Sequence, residues 1–309
     1  MKILILGASK TAQKKIIPSI KKIQDLEFDL ASISANKKFG EKKRYFDYSE
    51  AIKNTRSEIV YISLINSLHF KYAMESLKNS KNVIIDKPFV LNKKELSQIL
   101  NYSKKKKLLV AEALVFNYHK QFLYLKKLMK NKKMTFHNIF MKFHIPKLDK
   151  NNFMLNPKLG GGCFNDMVPY ASEIVRIFLK KRFKKFNANI KFNKKLSTDF
   201  SVNVINQNIE FYGSFSHSAE YENFISFSGK DNLIELQRFT APPSNQKLKI
   251  KIKNKNKVKE VTVEKNNTFK NFLVEVLKNL KNKRFSYYHS SIKYRQNFKD
   301  KILKIQNEK

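Results

Sequence analysis

Short apolar runs alternate with longer amphipathic stretches over the first third of the chain. The apolar runs are KILILG (2–7), FDLASIS (28–34), EIVYISLI (58–65), NVIIDK (82–87) and LLVAEAL (108–114). The amphipathic stretches are TAQKKIIPSIKKI (11–23), HFKYAMESLKN (69–79) and NKKELSQILNYSKK (92–105). Strands that alternate with helices of this length form parallel sheets, which are covered on both faces. The pattern therefore predicts an α/β domain with a doubly wound parallel sheet over residues 1–116.

The pattern changes after residue 116. A strand-like stretch at 134–145 is followed by an amphipathic helix at 170–180, and a last amphipathic stretch at 269–280 should close the core. Between residues 200 and 253 the strand candidates follow one another without helices: FSVNVIN, IEFYGSFSH, ENFISFSG, NLIELQRF and KLKIKIK. Runs of strands of this kind form antiparallel sheets. We therefore expect a second, α+β domain over residues 117–309, with a largely antiparallel open sheet.

Three of the chain's 7 glycines stand together at 160–162, in LGGGCFNDMVPY (159–170). Glycines let a backbone pass close to a ligand and turn sharply into a helix. Asp166 and Tyr170, spaced i and i+4, would then project from one helical face towards a cleft. The alternative is that Asp166 caps the amino end of the following helix and that Tyr170 is a core aromatic residue.

The chain carries a net charge of +38, yet its basic residues do not form a nucleic-acid motif. Of 63 lysines and arginines only seven are arginine, the residue suited to bidentate phosphate contacts. The lysines are distributed along the whole chain, as at 104–107, 180–185 and 247–259. This distribution is typical of solvated surfaces, and we expect no specific nucleic-acid partner.

Cysteine content and apolar run length indicate the compartment. The single cysteine, Cys163, excludes an intramolecular disulfide and fits a reducing cytoplasm. The apolar run at the amino terminus ends at Gly7, and no stretch approaches the roughly 20 apolar residues of a membrane span. The histidines show no metal-ligand spacing, so we predict a soluble cytoplasmic protein without a metal.

The loop after the first strand has the form of a dinucleotide-binding turn, G-x-G-x-x-G/A, with serine at the second glycine position. Such a turn offers backbone N–H groups and a helix dipole to a pyrophosphate, and the alternative is a plain strand-to-helix turn. After the second strand the chain has cations and no acid for the ribose hydroxyls, which favours NADP over NAD. The predicted cofactor residues in these two loops are Gly7, Ser9, Lys10, Thr11, Ala12, Ser34, Asn36 and Lys37.

Four segments in a fixed order resemble the Gfo/Idh/MocA oxidoreductases, the family of glucose-fructose oxidoreductase and inositol dehydrogenase. GASKTAQKKIIPSI resembles the family's phosphate loop and first helix of a Rossmann domain. YISLINSLHFKYAMESLKNSKNVIIDKPF is similar to its Asn-x-x-His loop and its strand ending in Glu-Lys-Pro. AEALVFNYHKQF resembles the segment entering the second domain, and LGGGCFNDMVPY resembles Gly-Gly-Gly-x-x-x-Asp-x-Gly-x-His/Tyr.

The resemblance implies an NAD(P)-dependent dehydrogenase or reductase acting on a CH–OH group of a sugar, nucleotide sugar or cyclitol. It implies Lys87, Asp166 and Tyr170 as the catalytic residues, and a homo-oligomer formed through the C-terminal sheet. It also places Asn66, His69, Asp86 and Lys87 at the cofactor, although His69 could instead pack locally. The departures from the family pattern are Ser9, Ile65, Asp86, Asn117, Lys120, Val168 and Asn232. They leave open a non-catalytic relative that binds a dinucleotide or another anion.

Overall fold

The computed structural model describes residues 1–33, 37–129, 135–179 and 183–308. Two predicted cofactor residues, Ser34 and Asn36, lie outside these ranges. By their contacts the residues form two compact units, Met1–Leu114 with Phe269–Gln296, and Val115–Thr268 with Asn297–Lys309. The segment 269–296 therefore packs with the first unit. The division into contiguous domains at residue 116 stays a prediction.

The first unit contains a six-stranded sheet in which every pair of neighbouring strands is parallel. Its strands are β1 (Lys2–Leu6), β2 (Glu27–Ala31), β3 (Arg44–Tyr45), β4 (Ile59–Ile62), β5 (Asn82–Ile85) and β6 (Val110–Glu112). The strand order is β3-β2-β1-β4-β5-β6. This is the order of a Rossmann fold and confirms the predicted doubly wound sheet. Its strands are continuous apolar runs because helices cover both faces of the sheet.

The described residues form eight α-helices, and two of them adjoin wider, π-helical turns. The α-helices are α1 (Ile17–Ile20), α2 (Tyr48–Asn54), α3 (His69–Lys78), α4 (Lys93–Lys106), α5 (Lys120–Met129), α6 (Cys163–Ile174), α7 (Thr268–Lys281) and α8 (Ser286–Asn307). The π-helical turns Ala12–Ile16 and Val175–Leu179 precede α1 and follow α6. Such turns are uncommon and are frequent at functional sites.

The second unit contains an eight-stranded sheet, antiparallel except where β7 pairs with β10. Its strands are β7 (Asn138–His144), β8 (Lys185–Asn193), β9 (Leu196–Ile205), β10 (Glu210–Ser216), β11 (Glu222–Ser228), β12 (Asn232–Gln237), β13 (Leu248–Asn254) and β14 (Lys257–Val263). Their order is β14-β13-β12-β11-β7-β10-β9-β8. The prediction of a largely antiparallel sheet is confirmed. The two edge strands, β8 and β14, were missed because exposed lysine and asparagine side chains interrupt their apolar alternation.

Helix α6 packs against β9 and β10 and begins earlier than its sequence pattern predicted. It begins at Cys163, whereas amphipathicity indicated a start near Tyr170. The residue that caps its amino end is Gly162, which makes no side-chain capping bond. Asp166 therefore lies inside the first turns of the helix and is not its cap.

Candidate functional site

Gly7, directly after β1, has a backbone conformation that favours glycine, at φ +92°. Its N–H donates to the carbonyl oxygen of Ala31 at 2.9 Å, which joins the end of β1 to the end of β2. A Cβ at this position would lie 2.5 Å from the carbonyl oxygen of Ser63 and 2.7 Å from Leu64 Cδ2. Only glycine therefore lets the loop after β1 pass this close to the loop after β4.

Ser9, which stands at the family's second glycine, begins a chain of hydrogen bonds. Its Oγ accepts from the Ala12 N–H at 3.0 Å and lies 2.7 Å from Ser63 Oγ. Ser63 Oγ donates its one hydrogen to Asp86 Oδ2 at 2.6 Å, so Ser9 must be the donor to Ser63. The other Asp86 oxygen accepts from Tyr61 Oη at 2.8 Å. These hydrogen bonds therefore all donate in one direction, from the first helix through Ser9 and Ser63 to the Asp86 carboxylate, which precedes Lys87.

The Asp86 carboxylate is held in an environment of low polarity. Burial raises its pKa, against the hydrogen bonds from Ser63 and Tyr61 and the nearby charges of His69 and Lys87. Burial, together with the Asp86 carboxylate, raises the pKa of Tyr61 well above its ordinary value. Tyr61 is therefore a protonated donor near neutral pH, and the partly buried Asp86 lies directly before Lys87.

His69 connects the loops that follow β4 and β5. Its Nδ1 lies 2.9 Å from the Pro88 carbonyl oxygen and its Nε2 lies 3.1 Å from the Leu64 carbonyl oxygen. Burial lowers its pKa, and these two carbonyl oxygens and Asp86 act in the opposite direction. The structure thus places His69 and the buried Asn66 beside this loop pair. Their role at the cofactor stays a prediction.

A buried ion pair fixes the segment after Lys87. Glu112, at the end of β6, accepts from the Phe89 N–H at 2.9 Å and from Arg295 Nε at 2.6 Å. Arg295 comes from α8, more than 180 residues along the chain, and both charged groups are nearly inaccessible to solvent. Breaking such a pair leaves an uncompensated buried charge, so the pair holds the Lys87–Phe89 segment in place. Sequence spacing gave no signal for Arg295.

The residues present fit the phosphates of a dinucleotide. The Gly7 turn is closed to any side chain, and Lys10 and Thr11 are exposed at the start of the helical segment. Thr11 makes no side-chain capping bond there. The Ala12 N–H, in contrast, is already bound by Ser9. Lys10 and Thr11, with the first amides of the helix, are the groups that would hold a pyrophosphate.

The loop after β2 is basic at its described end. Lys37 is exposed, and its carbonyl oxygen accepts from Arg44 Nη2 at 2.6 Å. Arg44 begins β3 and also pairs with Glu41, with 2.6 Å between Nε and Oε1. The sequence prediction did not single out Arg44, because the two-residue strand that carries it has no periodic signal. The Arg44 guanidinium and the exposed Lys37 beside it are cationic groups of the kind that suits a 2′-phosphate.

In the second unit, Asp166 and His217 form a buried pair. His217 Nε2 lies 3.0 Å from Asp166 Oδ2, and the two residues are 6% and 8% exposed. His217 directly follows β10 and Asp166 lies on α6, so a distance of 51 residues separates them in sequence. The spacing of the histidines in the sequence gave no signal for a role of His217. The structure instead makes it the partner of a predicted catalytic carboxylate.

The three glycines before α6 pack against the unit's own chain. Gly160 and Gly162 have φ +79° and +101°. A Cβ on Gly161 would lie 2.4 Å from the Met154 carbonyl oxygen, and one on Gly162 would lie 2.5 Å from Ser197 Oγ. The predicted sharp turn into a helix is confirmed, and the close approach that these glycines permit is to Met154 and Ser197.

Tyr170 lies on the same face of α6 as Asp166, one turn further on. Its ring centroid is 5.8 Å from that of Phe116 and 5.5 Å from that of Phe143. One more turn along the helix, the buried Glu173 accepts from Asn117 Nδ2 at 2.7 Å and from Arg176. Asn117 stands where the family pattern has arginine, and Arg176, in the π-helical turn after α6, supplies a guanidinium to Glu173.

Two observations on the described residues concern metal sites and membrane spans. Histidine, cysteine, aspartate and glutamate nowhere gather there in a group of three that could hold a metal ion. Within the same part of the chain, every helix is too short or too polar to cross a membrane.

His119 accepts from the Gln121 N–H through Nδ1, and burial and then Lys120 lower its pKa to about 4.

A family model confirms the resemblance in the first unit. Residues 1–114 match the model of the GFO_IDH_MocA oxidoreductase family, NAD-binding Rossmann fold. The whole chain also has the fold of KijD10, a 3-ketoreductase from Actinomadura kijaniata solved with NADP and TDP-benzene. The TM-score is 0.92 at 15% identity, and the match covers 99% of this chain and 98% of that one.

Two relatives match in sequence over shorter stretches. An uncharacterized oxidoreductase of Rhizobium meliloti, ORF334, is 25% identical over 185 residues, which are 56% of this chain and 54% of that protein. The D-xylose 1-dehydrogenase (NADP⁺) of Hypocrea jecorina is 28% identical over 127 residues, which are 36% of this chain and 32% of that protein. The chain thus spans about half and about a third of the lengths of these two relatives.

Proposed function

We propose that the protein is an NAD(P)-dependent oxidoreductase that interconverts a hydroxyl and a ketone on a sugar, nucleotide sugar or cyclitol. One observation carries the proposal. The strand order of a nucleotide-binding domain is combined with Lys87 directly after β5, at the edge where open parallel sheets bind ligands. The family match of residues 1–114 supports the same activity.

We favour NADP over NAD as the cofactor. Lys37 and Arg44 supply cationic groups beside β2, and the described part of this loop offers its one acid, Glu41, to Arg44. A ribose with free hydroxyls is usually held by a carboxylate, whereas a 2′-phosphate is held by basic groups. The D-xylose 1-dehydrogenase uses NADP⁺ and KijD10 was solved with NADP, which agrees with this preference.

Each of the three predicted catalytic residues has a separate task. When bound, the nicotinamide supplies or accepts the hydride. Tyr170 transfers the proton of the reacting hydroxyl, although its ordinary pKa of about 10 requires nearby positive charge for this. Lys87 polarises the reacting oxygen, and Asp166 orients the substrate. His217 in turn fixes the orientation of the Asp166 carboxylate through the 3.0 Å contact.

The proposal is tested by turnover of NADPH with a panel of keto sugars, and of NADP⁺ with the matching alcohols. Replacing Tyr170 by Phe should lower kcat about 10²- to 10⁴-fold and leave the Kd for NADPH unchanged, because only the proton donor is removed. Tyr124→Phe, on α5 of the same unit, is the matched control. An unchanged kcat in Tyr170→Phe would remove this residue from its role.

A second function, dinucleotide or anion binding without turnover, is favoured by one observation. Ser9 occupies the Ala12 N–H, a group that a phosphate would otherwise accept from. Weaker cofactor binding would follow from this contact alone. Binding of NADPH without turnover of any panel substrate would favour this second function.

We further propose a cytoplasmic homo-oligomer. The sequence has one cysteine, Cys163, and so no intramolecular disulfide, in agreement with a reducing compartment. On one face of the eight-stranded sheet, Phe140 stacks on Tyr212 with 5.5 Å between ring centroids, and Phe224 lies 5.6 Å from Phe140. Tyr212 is 41% exposed. Aromatic side chains clustered on an exposed face are typical of a subunit interface.

A further inference from the structure

A cavity of about 810 Å³ lies in the first unit, at the amino ends of β5 and β6. Its walls come from the end of α4, the loop before β6, the end of α7 and the start of α8. Asn82, which begins β5, and Leu108, which precedes β6, line it. Lys87 follows the opposite end of β5, so the cavity is separate from the cofactor residues. Its volume falls in the range of small-molecule sites.

The lining has two chemically different parts. One part is apolar and consists of Leu100, Leu108, Leu280 and Phe285. The other carries four lysines, Lys104, Lys107, Lys283 and Lys293, and no carboxylate belongs to the described residues that line the cavity. Four cations without a single acid create a positive potential at the mouth. Lysines are common in this chain, so the feature that distinguishes the cavity is the apolar wall beside its lysines.

The first two turns of α8 add polar groups. Ser286, His289 and Ser290 line the cavity from this helix, whose amino end carries a partial positive charge. The Nε2 atom of His289 is buried and has no hydrogen-bond partner within the described residues. Burial, and then the charge of Lys104, lowers the pKa of His289. A buried ring nitrogen without a partner is costly, and a ligand in the cavity would satisfy it.

We propose that this cavity binds a small organic anion with an apolar body. The acid group of the ligand, a phosphate or a carboxylate, contacts the lysines and the start of α8. Its ring or alkyl body packs on Leu100, Leu280 and Phe285. The site is independent of the proposed oxidoreductase activity, because none of its residues belongs to the predicted catalytic or cofactor set.

Phenyl phosphate is the probe, titrated into the full-length protein by calorimetry with saturating NADPH present and at about 0.15 M salt, which screens distributed lysines. Inorganic phosphate and phenol are titrated in parallel. Phenyl phosphate should bind with saturation, and both fragments should bind at least about tenfold more weakly, because each has half of the recognised chemistry. Equal affinity for inorganic phosphate, or absence of saturable phenyl phosphate binding, would overturn the proposal.

Two charge-matched double variants locate the binding. Lys104→Ala with Lys283→Ala removes two cavity lysines. Lys106→Ala with Lys281→Ala removes two exposed lysines at the ends of α4 and α7, outside the lining. The first pair should raise the Kd about tenfold and the second by less than about twofold. Ser290→Trp, at an exposed position of the lining, should block binding without any change in charge. Equal effects of the two pairs would contradict the cavity as the site.

Discussion

A hydroxyl at residue 9 changes how the first helix begins and what lies next to Lys87. Ser9 satisfies the Ala12 N–H, and through Ser63 it connects this helix to Asp86. Two departures from the family pattern, Ser9 and Asp86, are thus the two ends of one hydrogen-bonded chain. These hydrogen bonds stabilise the loop, but they occupy the Ala12 N–H, which is then lost to the predicted phosphate site.

Replacing Ser9 by Gly should therefore have opposite effects on stability and on cofactor binding. Loss of the capping hydroxyl lowers the free energy of unfolding by only about 0.3 kcal/mol, because glycine is itself tolerated at a capping position. The freed Ala12 N–H and the absent Cβ should lower the Kd for NADPH. Chemical denaturation and fluorescence titration measure the two quantities.

Ser9→Ala is the control, because it removes the hydroxyl and keeps the Cβ. It should lose more stability, about 1 kcal/mol, and bind NADPH less tightly than Ser9→Gly. A glycine variant that binds no more tightly than the wild type would show that Ser9 does not limit the phosphate loop.

Residues within one motif could be named from the sequence, whereas partners across the fold could not. Gly7, Lys87, Asp166 and Tyr170 stand in local patterns whose spacing carries their chemistry. His217 and Arg295 reach their carboxylates only because β10 and α8 return to α6 and β6. No local periodicity encodes such a contact.

At the scale of elements, the glycine triplet determines where α6 starts. Sequence periodicity placed the helix near residue 170, because its first turns carry buried polar and apolar residues together. The backbone at Gly162 instead turns directly into the helix at φ +101°, against Ser197. The position of Asp166 inside the helix follows from this turn.

Gly162→Ala should destabilise the protein by about 1 to 3 kcal/mol, because a left-handed backbone and a 2.5 Å contact with Ser197 Oγ both oppose a Cβ. Gly40→Ala is the matched control: its φ is +85°, but a Cβ there would meet only the end of the Lys21 side chain. Thermal denaturation compares them. Equal losses would mean that packing against Ser197 contributes nothing.

Five of the six strands in the parallel sheet were predicted, because each is a continuous apolar run, whereas the two-residue β3 and helix α2 were not. The second sheet was predicted less completely. Its edge strands β8 and β14 are largely exposed, with lysines and asparagines in β8 and lysines in β14, so apolar alternation is weak there. Helix α8 was not predicted, because its amphipathic pattern is weak.

At the scale of the whole molecule, the exposed aromatic face of the eight-stranded sheet is the proposed subunit contact. Phe140→Glu with Tyr212→Glu places charges in that cluster and should convert an oligomer to monomers, since desolvating a carboxylate opposes association. Sedimentation velocity measures the mass. Val258→Glu, exposed on the edge strand β14, is the control. A wild type that sediments as a monomer would contradict the proposed interface.

The net charge of +38 complicates any binding experiment with an anionic cofactor. Distributed lysines attract dinucleotides weakly wherever they lie, but salt screens this attraction over distances beyond about 8 Å. A built site loses less affinity in salt, because its contacts are short and partly desolvated. Salt resistance therefore separates a cofactor site from a basic surface.

The dinucleotide site is tested most directly by a fluorescence titration with NADPH and NADH at low and raised salt, on the wild type and on Lys87→Ala. We expect saturable binding that survives salt, is tighter for NADPH, and is weakened by Lys87→Ala. A control substitution at an exposed lysine, Lys106→Ala, should leave it unchanged. Binding that disappears with salt, or that is indifferent to Lys87, would contradict a dinucleotide site at the end of β5.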